Sequence, residues 1–183
     1  MIRYDRLSAP KCLLAKQGKL LWQSSGTCYQ AIQIALGNAN QEHCAFCDGK
    51  LGIESKSTVE HFRPKSKFPD LIYSWQNLFP ACDVCQSAKW EKFDDVLLKP
   101  DELAYAFANY FQINLLSGAI EPLESANSAA QSRAKVTIDM YQLNKPQRLT
   151  SRKHELKHWQ LTVLNNRVLD EFSYRYFIND GIA

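Results

Sequence analysis

At 183 residues, 45% apolar and 11% aromatic, the chain has the length and composition for one domain with a sizeable core, which excludes global disorder. A formal net charge of +3 permits nucleic-acid binding without requiring it. No apolar run approaches the roughly 20 residues that span a bilayer, and none follows Arg3, so a cytoplasmic protein with no membrane role is expected.

In chain order, Cys12 lies in a short segment after Pro10, and Cys28 in a helix-like apolar run from Thr27 to Leu36. Thiols stay reduced in the cytosol, and a free cysteine behaves as a small hydrophobe, so both are expected to fill core. Ser24 or Ser25 is a candidate cap for that helix and Gly37 its stop signal. A loop over 37–42 leads into a metal knuckle, Cys44-Ala45-Phe46-Cys47-Asp48-Gly49, with Gly49 expected at the sharp bend. Residues 58–62 read as a short strand, 63–70 as a basic loop, and 71–78 as an extended aromatic stretch. A helix is expected near Cys82 and Cys85, carrying Gln86, Lys89 and Trp90. Residues 110–116 and 119–123 flank Ser117-Gly118 as a hairpin. Residues 128–143 are helical, Asn144-Lys145-Pro146 breaks the chain, and a longer helix is expected to about Phe177. Its apolar stripe is Leu161, Leu164, Val168, Phe172 and Tyr176. Three segments result: an N-terminal helical part (1–39), a core with the knuckles (40–99), and a hairpin with C-terminal helices (100–183) packed as one unit with the core.

The strongest chemical signal is a double Cys-x-x-Cys, Cys44/Cys47 and Cys82/Cys85, with 34 residues between the pairs. Four thiolates saturate tetrahedral zinc and leave no open position, so this spacing predicts a structural Zn2+, with His43 as a bystander. The long insert carries Glu60-His61, followed by the basic run Arg63-Pro64-Lys65-Ser66-Lys67. A metal-dependent nuclease needs a carboxylate for a divalent cation, a base to activate water, and cations around phosphate. Adjacent strand residues point to opposite faces, so Glu60 and His61 share a site only where the strand ends or bends. Gln86 and Lys89, three apart on one helical face, are candidates to offer a carbonyl oxygen to the metal and a charge to phosphate. A competing string, His154-Glu155-Leu156-Lys157-His158, has the His-Glu-x-x-His spacing of zinc peptidases and needs a third ligand, with Asp170 or Glu171 available downstream. Arg148, Arg152, Lys153 and Lys157 around it suit a nucleic-acid or partner surface better.

The stretches Val59-Glu60-His61-Phe62-Arg63-Pro64-Lys65-Ser66, Trp75-Gln76-Asn77-Leu78-Phe79 and Cys82-Asp83-Val84-Cys85-Gln86-Ser87-Ala88-Lys89 resemble the HNH endonuclease pattern. More narrowly they resemble the PtuB-like HNH subunits of Septu and retron anti-phage systems, over roughly residues 40–160. The resemblance implies an α+β, ββα-metal fold. In it His61 is the general base, Glu60 the metal-binding acid and Asn77 the residue that orients the histidine's loop. Gln86 stands where the family has histidine or asparagine as second metal ligand. One catalytic divalent cation, Mg2+ or Mn2+, is implied beside the zinc, with Arg63, Lys65, Lys67 and Lys89 expected to position phosphates. The substrate is nucleic acid, DNA by default with RNA open. A controlling partner ATPase in a defence complex is also implied. The alternative is a weakened zinc module that only binds nucleic acid or a partner.

Overall fold

The computed structural model describes residues 1–3, 5–52, 55–162 and 167–182. A 3-10 turn at Lys11–Lys16 precedes helix α1, Gly26–Ala39, whose N-cap is Ser25. The helix passes through Gly37 instead of stopping there. A Cβ at Gly37 would lie 2.5 Å from a carboxylate oxygen of Glu42, so glycine serves the close return of the chain. The turn also joins α1 covalently: Cys12 and Cys28 form a disulfide, their Cα atoms 5.7 Å apart. The expectation of two separate core fillers is therefore corrected. Each cysteine is unremarkable in its own segment, and only the packing of the turn on α1 brings the sulfurs together.

Strand β1, Ser57–His61, pairs antiparallel with β2, Leu78–Cys82, Ser57 opposite Cys82 and His61 opposite Leu78. Pro80 is tolerated in β2 because its carbonyl faces outward, accepting from the Ala45 N–H at 2.8 Å, so its missing N–H removes no bond to β1. Of the stretch 71–78, expected to be extended, only Leu78 is, as the first residue of β2; residues 71–77 are not. They coil through 3-10 turns at Pro69–Leu71 and Trp75–Asn77, which shortens the connection and folds it beneath β1. Helix α2, Asp83–Lys89, follows β2 directly, completing a ββα unit. A hairpin of β3, Phe111–Asn114, and β4, Ala119–Pro122, then leads to α3, Ser128–Met140. Gly118 at the hairpin turn has φ +81, and a Cβ there would meet the Leu149 carbonyl oxygen at 2.5 Å.

Helix α4, Pro146–Thr162, begins at the expected break, but the single long helix expected to Phe177 does not form. Among the described residues beyond Thr162, a 3-10 turn at Leu169–Glu171 precedes the next α-helix, α5, Arg175–Ile182. Of its supposed stripe, Phe172 and Tyr176 are buried, Leu161 and Val168 are exposed, and Leu164 lies outside the described residues. Arg148 and Arg152, expected at a surface, are buried. Arg152 donates to the carbonyls of Gly118 and Leu143, stitching α4 to the hairpin and to the end of α3.

Two apolar clusters hold these parts. One surrounds the four cysteines and includes Phe46, Phe79, Tyr105, Tyr141 and Phe177; the other packs Ile32 and Leu36 of α1 with Leu13, Val59, Trp75 and Leu78. Phe46 stacks on Tyr141 at 4.0 Å between ring centroids. The C-terminal segment is fastened to the first knuckle by a buried ion pair. Asp48 accepts from the Arg175 guanidinium, at 2.6 Å from Nη2, and from the Arg175 backbone N–H at 2.7 Å. Removing one partner of such a pair strands the other charge in the core. Arg175→Ala is therefore expected to lower unfolding free energy by about 3–5 kcal/mol, read from urea denaturation of the metal-loaded protein. A loss under about 1 kcal/mol would show that the pair behaves as a surface bridge.

Candidate metal centre and catalytic pocket

Cys44, Cys47, Cys82 and Cys85 come together from two knuckles, with their sulfurs all within 4.8 Å of one another and all four residues buried. The bend of the first knuckle is made by Asp48, at φ +60, and not by Gly49; the Cys44 N–H reaches the Gly49 carbonyl at 2.9 Å. In the second knuckle Cys82 caps α2, its sulfur accepting from the Cys85 N–H at 3.3 Å. Tetrahedral zinc with Zn–S bonds of about 2.3 Å sets sulfurs about 3.8 Å apart, and Cys47 Sγ lies 3.8 Å from Cys82 Sγ. The charges agree as well. Arg148 is buried, and among the described residues its side chain has only sulfur partners, Cys85 Sγ at 3.1 Å and Cys82 Sγ at 3.9 Å. A guanidinium placed so is stable only against anionic sulfur, and four thiolates on one divalent ion leave two negative charges to answer it. The cluster thus fits a structural metal such as zinc. His43 is no ligand, because its ring nitrogens face the carbonyls of Gln41 and Phe172 at 2.6 and 2.8 Å.

The clamp sets α2 against β1. From α2, Gln86 donates its amide nitrogen to the Val59 carbonyl at 2.8 Å, which leaves the amide oxygen as the group available to a ligand. One turn on, Lys89 donates to Glu60 Oε1 at 2.7 Å and to the His61 carbonyl at 2.9 Å. The expectation that Lys89 meets phosphate is corrected here: the side chain is fully buried and its charge is spent on Glu60. Burial pushes the Glu60 carboxyl up to about 7, against the pull of the Lys89 ammonium beside it.

His61 ends β1. Its Nε2 is 3.0 Å from the Ile72 carbonyl, which can only accept, so Nε2 carries the proton and Nδ1 keeps its lone pair. Burial lowers its pKa to about 4, which keeps the imidazole neutral near pH 7. The edge of the Trp22 ring packs on it at 4.6 Å. Asn77 fixes the backbone just beyond: its Oδ1 accepts from the Arg63 N–H at 2.7 Å, and its Nδ2 donates to the Arg63 and Leu71 carbonyls at 3.0 and 3.2 Å. Because the strand ends at His61, both Glu60 and His61 line one pocket of about 520 Å³ despite their alternate directions.

Gln86 and Lys65 line that pocket too. Arg63 does not; its guanidinium lies over the rings of Phe68 and Phe93, facing a different concavity. Lys67 is exposed outside the pocket. Lys56, Trp22, Tyr29, Trp90 and Glu91 are among the other lining residues, and sequence reasoning passed over them as site residues. Only their proximity after folding marks them, since none belongs to a motif. The peptidase string fails on geometry. His158 is 3.7 Å from Glu155, Asp170 is paired with Arg175 and Glu171 with Arg167. Among the described residues, the four cysteines are the only metal-ligating cluster of three or more His, Cys, Asp or Glu groups.

Two outcomes are expected. Elemental analysis finds one zinc per chain, and Cys82→Ser or exhaustive chelation abolishes cooperative thermal unfolding; retained cooperativity without metal would remove its structural role. Second, a histidine whose folded pKa lies below its unfolded value of 6.5 contributes stability that is fully present above that pH. The contribution is lost as pH falls toward 4. An NMR titration of the ring proton should place the His61 midpoint near pH 4, whereas a midpoint at 6.5 would mean that the ring is solvated.

No family model matches the chain. Among curated proteins it is 27% identical to "Septu protein PtuB" of Bacillus thuringiensis, over 81% of this chain and 57% of that protein. It is also 27% identical to "Retron Vc95 putative HNH endonuclease" of Vibrio cholerae serotype O1 biovar El Tor, over 69% of this chain and 63% of that protein. The chain thus spans less than two thirds of the length of either relative. Together with the four-cysteine cluster and the ββα unit, these matches support similarity to the HNH-like, PtuB-type proteins.

Proposed function

We propose that this protein is a metal-dependent HNH endonuclease that hydrolyses phosphodiester bonds at the Glu60–His61 pocket. The observation that carries the reading is the state of His61: neutral, with the proton held on Nε2 by the Ile72 carbonyl and a free lone pair on Nδ1. That is the form a general base must take. His61 would take the proton of an attacking water, and Asn77 would keep the histidine's loop from drifting. Lys65 and Lys56 line the pocket and would hold the phosphate; Arg63 and Lys67 flank it and would meet the strand further along.

The pocket also fits a divalent cation. Glu60 is a buried carboxylate with one oxygen on Lys89, and Gln86 has its amide oxygen available, so two oxygen donors are present. Mg2+ and Mn2+ accept such sparse oxygen sites because they retain waters. Bound there, the cation would supply charge stabilisation to the phosphorane-like transition state and the leaving oxygen. Lys89 would act on Glu60, holding its carboxylate in place. The relatives are named as a Septu protein and a retron HNH endonuclease, which supports a role in anti-phage defence; a controlling partner ATPase is part of this proposal and rests on the family resemblance alone.

One observation favours the weaker reading, a zinc module that binds without cutting. The Glu60–Lys89 pair already neutralises the acid, and Gln86 stands where the resemblance implies histidine or asparagine as a metal ligand. Cleavage of labelled DNA and RNA with Mg2+, Mn2+ or EDTA decides between them. Metal-dependent cutting that falls about 100- to 10,000-fold in His61→Ala is expected. Binding with no cutting under any condition, including with the co-purifying partner, selects the module.

A further inference from the structure

Two tryptophans border the His61 pocket, and only one is packed. Trp22 sits among rings, 4.6 Å from His61, 5.1 Å from Tyr73 and 5.9 Å from Tyr29. Trp90, on the α2 side, is 73% exposed and makes no ring or cation contact among the described residues. It follows the last residue of α2 as C-cap, with its N–H on the Gln86 carbonyl at 2.8 Å. Its backbone lies at φ +50, ψ −128, where glycine is at ease and a bulky side chain is strained. Core packing does not explain the ring, since it is bare. Capping does not explain it either, since glycine would cap better. Strain of this kind at the rim of a pocket points to a ligand.

We propose that Trp90 is a stacking platform for an unpaired nucleobase beside the phosphate held near His61, so that the site selects single-stranded or looped nucleic acid over an intact duplex. The proposal rests on the nuclease reading above for the identity of the ligand. A base presents an apolar π-face that matches an exposed indole, and such stacking tolerates any sequence. In a duplex both faces are covered by neighbouring bases, so only an unstacked base can lie on Trp90. Lys56 and Lys65, which line the same pocket, supply the cations that the flanking phosphates require.

The experiment measures binding, without cutting, by the zinc-loaded full chain carrying His61→Ala. The probes are fluorescein-labelled 12-mers of dT and rU and a DNA duplex closed at both ends by ethylene-glycol linkers, read by anisotropy. Adding Trp90→Ala is expected to weaken single-strand binding about 5- to 100-fold, with Trp90→Phe recovering part and duplex binding unchanged. Trp90→Gly should lose binding equally while melting no lower than its parent, because glycine relieves the backbone; this separates a lost platform from a lost fold. Unchanged single-strand affinity in Trp90→Ala overturns the proposal, and so does an equal loss for duplex. A Trp90-dependent preference in a protein that never cuts would leave the platform standing while the nuclease reading falls.

Discussion

Four thiolates gathered in the interior are the constraint on which the rest of the structure depends. Unassisted, their mutual repulsion and desolvation would push the two knuckles apart. The Arg148 guanidinium offsets that cost from outside the cluster, and a divalent metal held by the four sulfurs would offset it from inside. Arg148 belongs to α4, so the same interaction that settles the cluster also draws the C-terminal half onto the core. Asp48, one residue beyond Cys47, repeats the device with Arg175 at the start of α5. The knuckles are thereby tied to elements more than 60 residues downstream by charge as well as by apolar contact.

From that clamp the pocket follows by short steps. Cys82 and Cys85 fix the first turn of α2, so Gln86 and Lys89 must lie over β1. Lys89 then bonds both Glu60 and the His61 carbonyl, locking the end of the strand from below. From the other side the Ile72 carbonyl and the Trp22 ring set the imidazole, and Asn77 staples the following loop. Rigid supports on every side suit the general-base role proposed for His61, which needs placement to within a fraction of an ångström. They also explain a buried lysine that would otherwise be costly: its charge is matched at 2.7 Å, and removing either partner would strand the other.

Much of this was legible in the residues. The Cys-x-x-Cys spacing marked the metal cluster because the ligand geometry of a tetrahedral ion is nearly the same wherever it occurs. The β1 strand, the hairpin around Ser117-Gly118 and the break at Pro146 follow from local backbone preferences, and each lies within one or two residues of the expected bounds. Gln86 and Lys89 were correctly assigned to one helical face, but periodicity gives no indication of which wall that face meets. Lys89 was therefore read as a surface cation although it is fully buried against Glu60.

What the sequence determined by itself is the chemistry set by short spacing: four sulfurs for one ion, an acid next to a histidine, and the elements that carry them. Only the tertiary structure decided how distant segments use that chemistry. It paired Cys12 with Cys28, spent Arg148 on the thiolates and Arg152 on carbonyls, fixed the His61 tautomer through Ile72, and left Trp90 bare beside a packed Trp22. The physical reason is that burial and partnership are properties of a fold's long-range contacts, and neither charge nor hydrophobicity along the chain encodes which residue will lie 3 Å away.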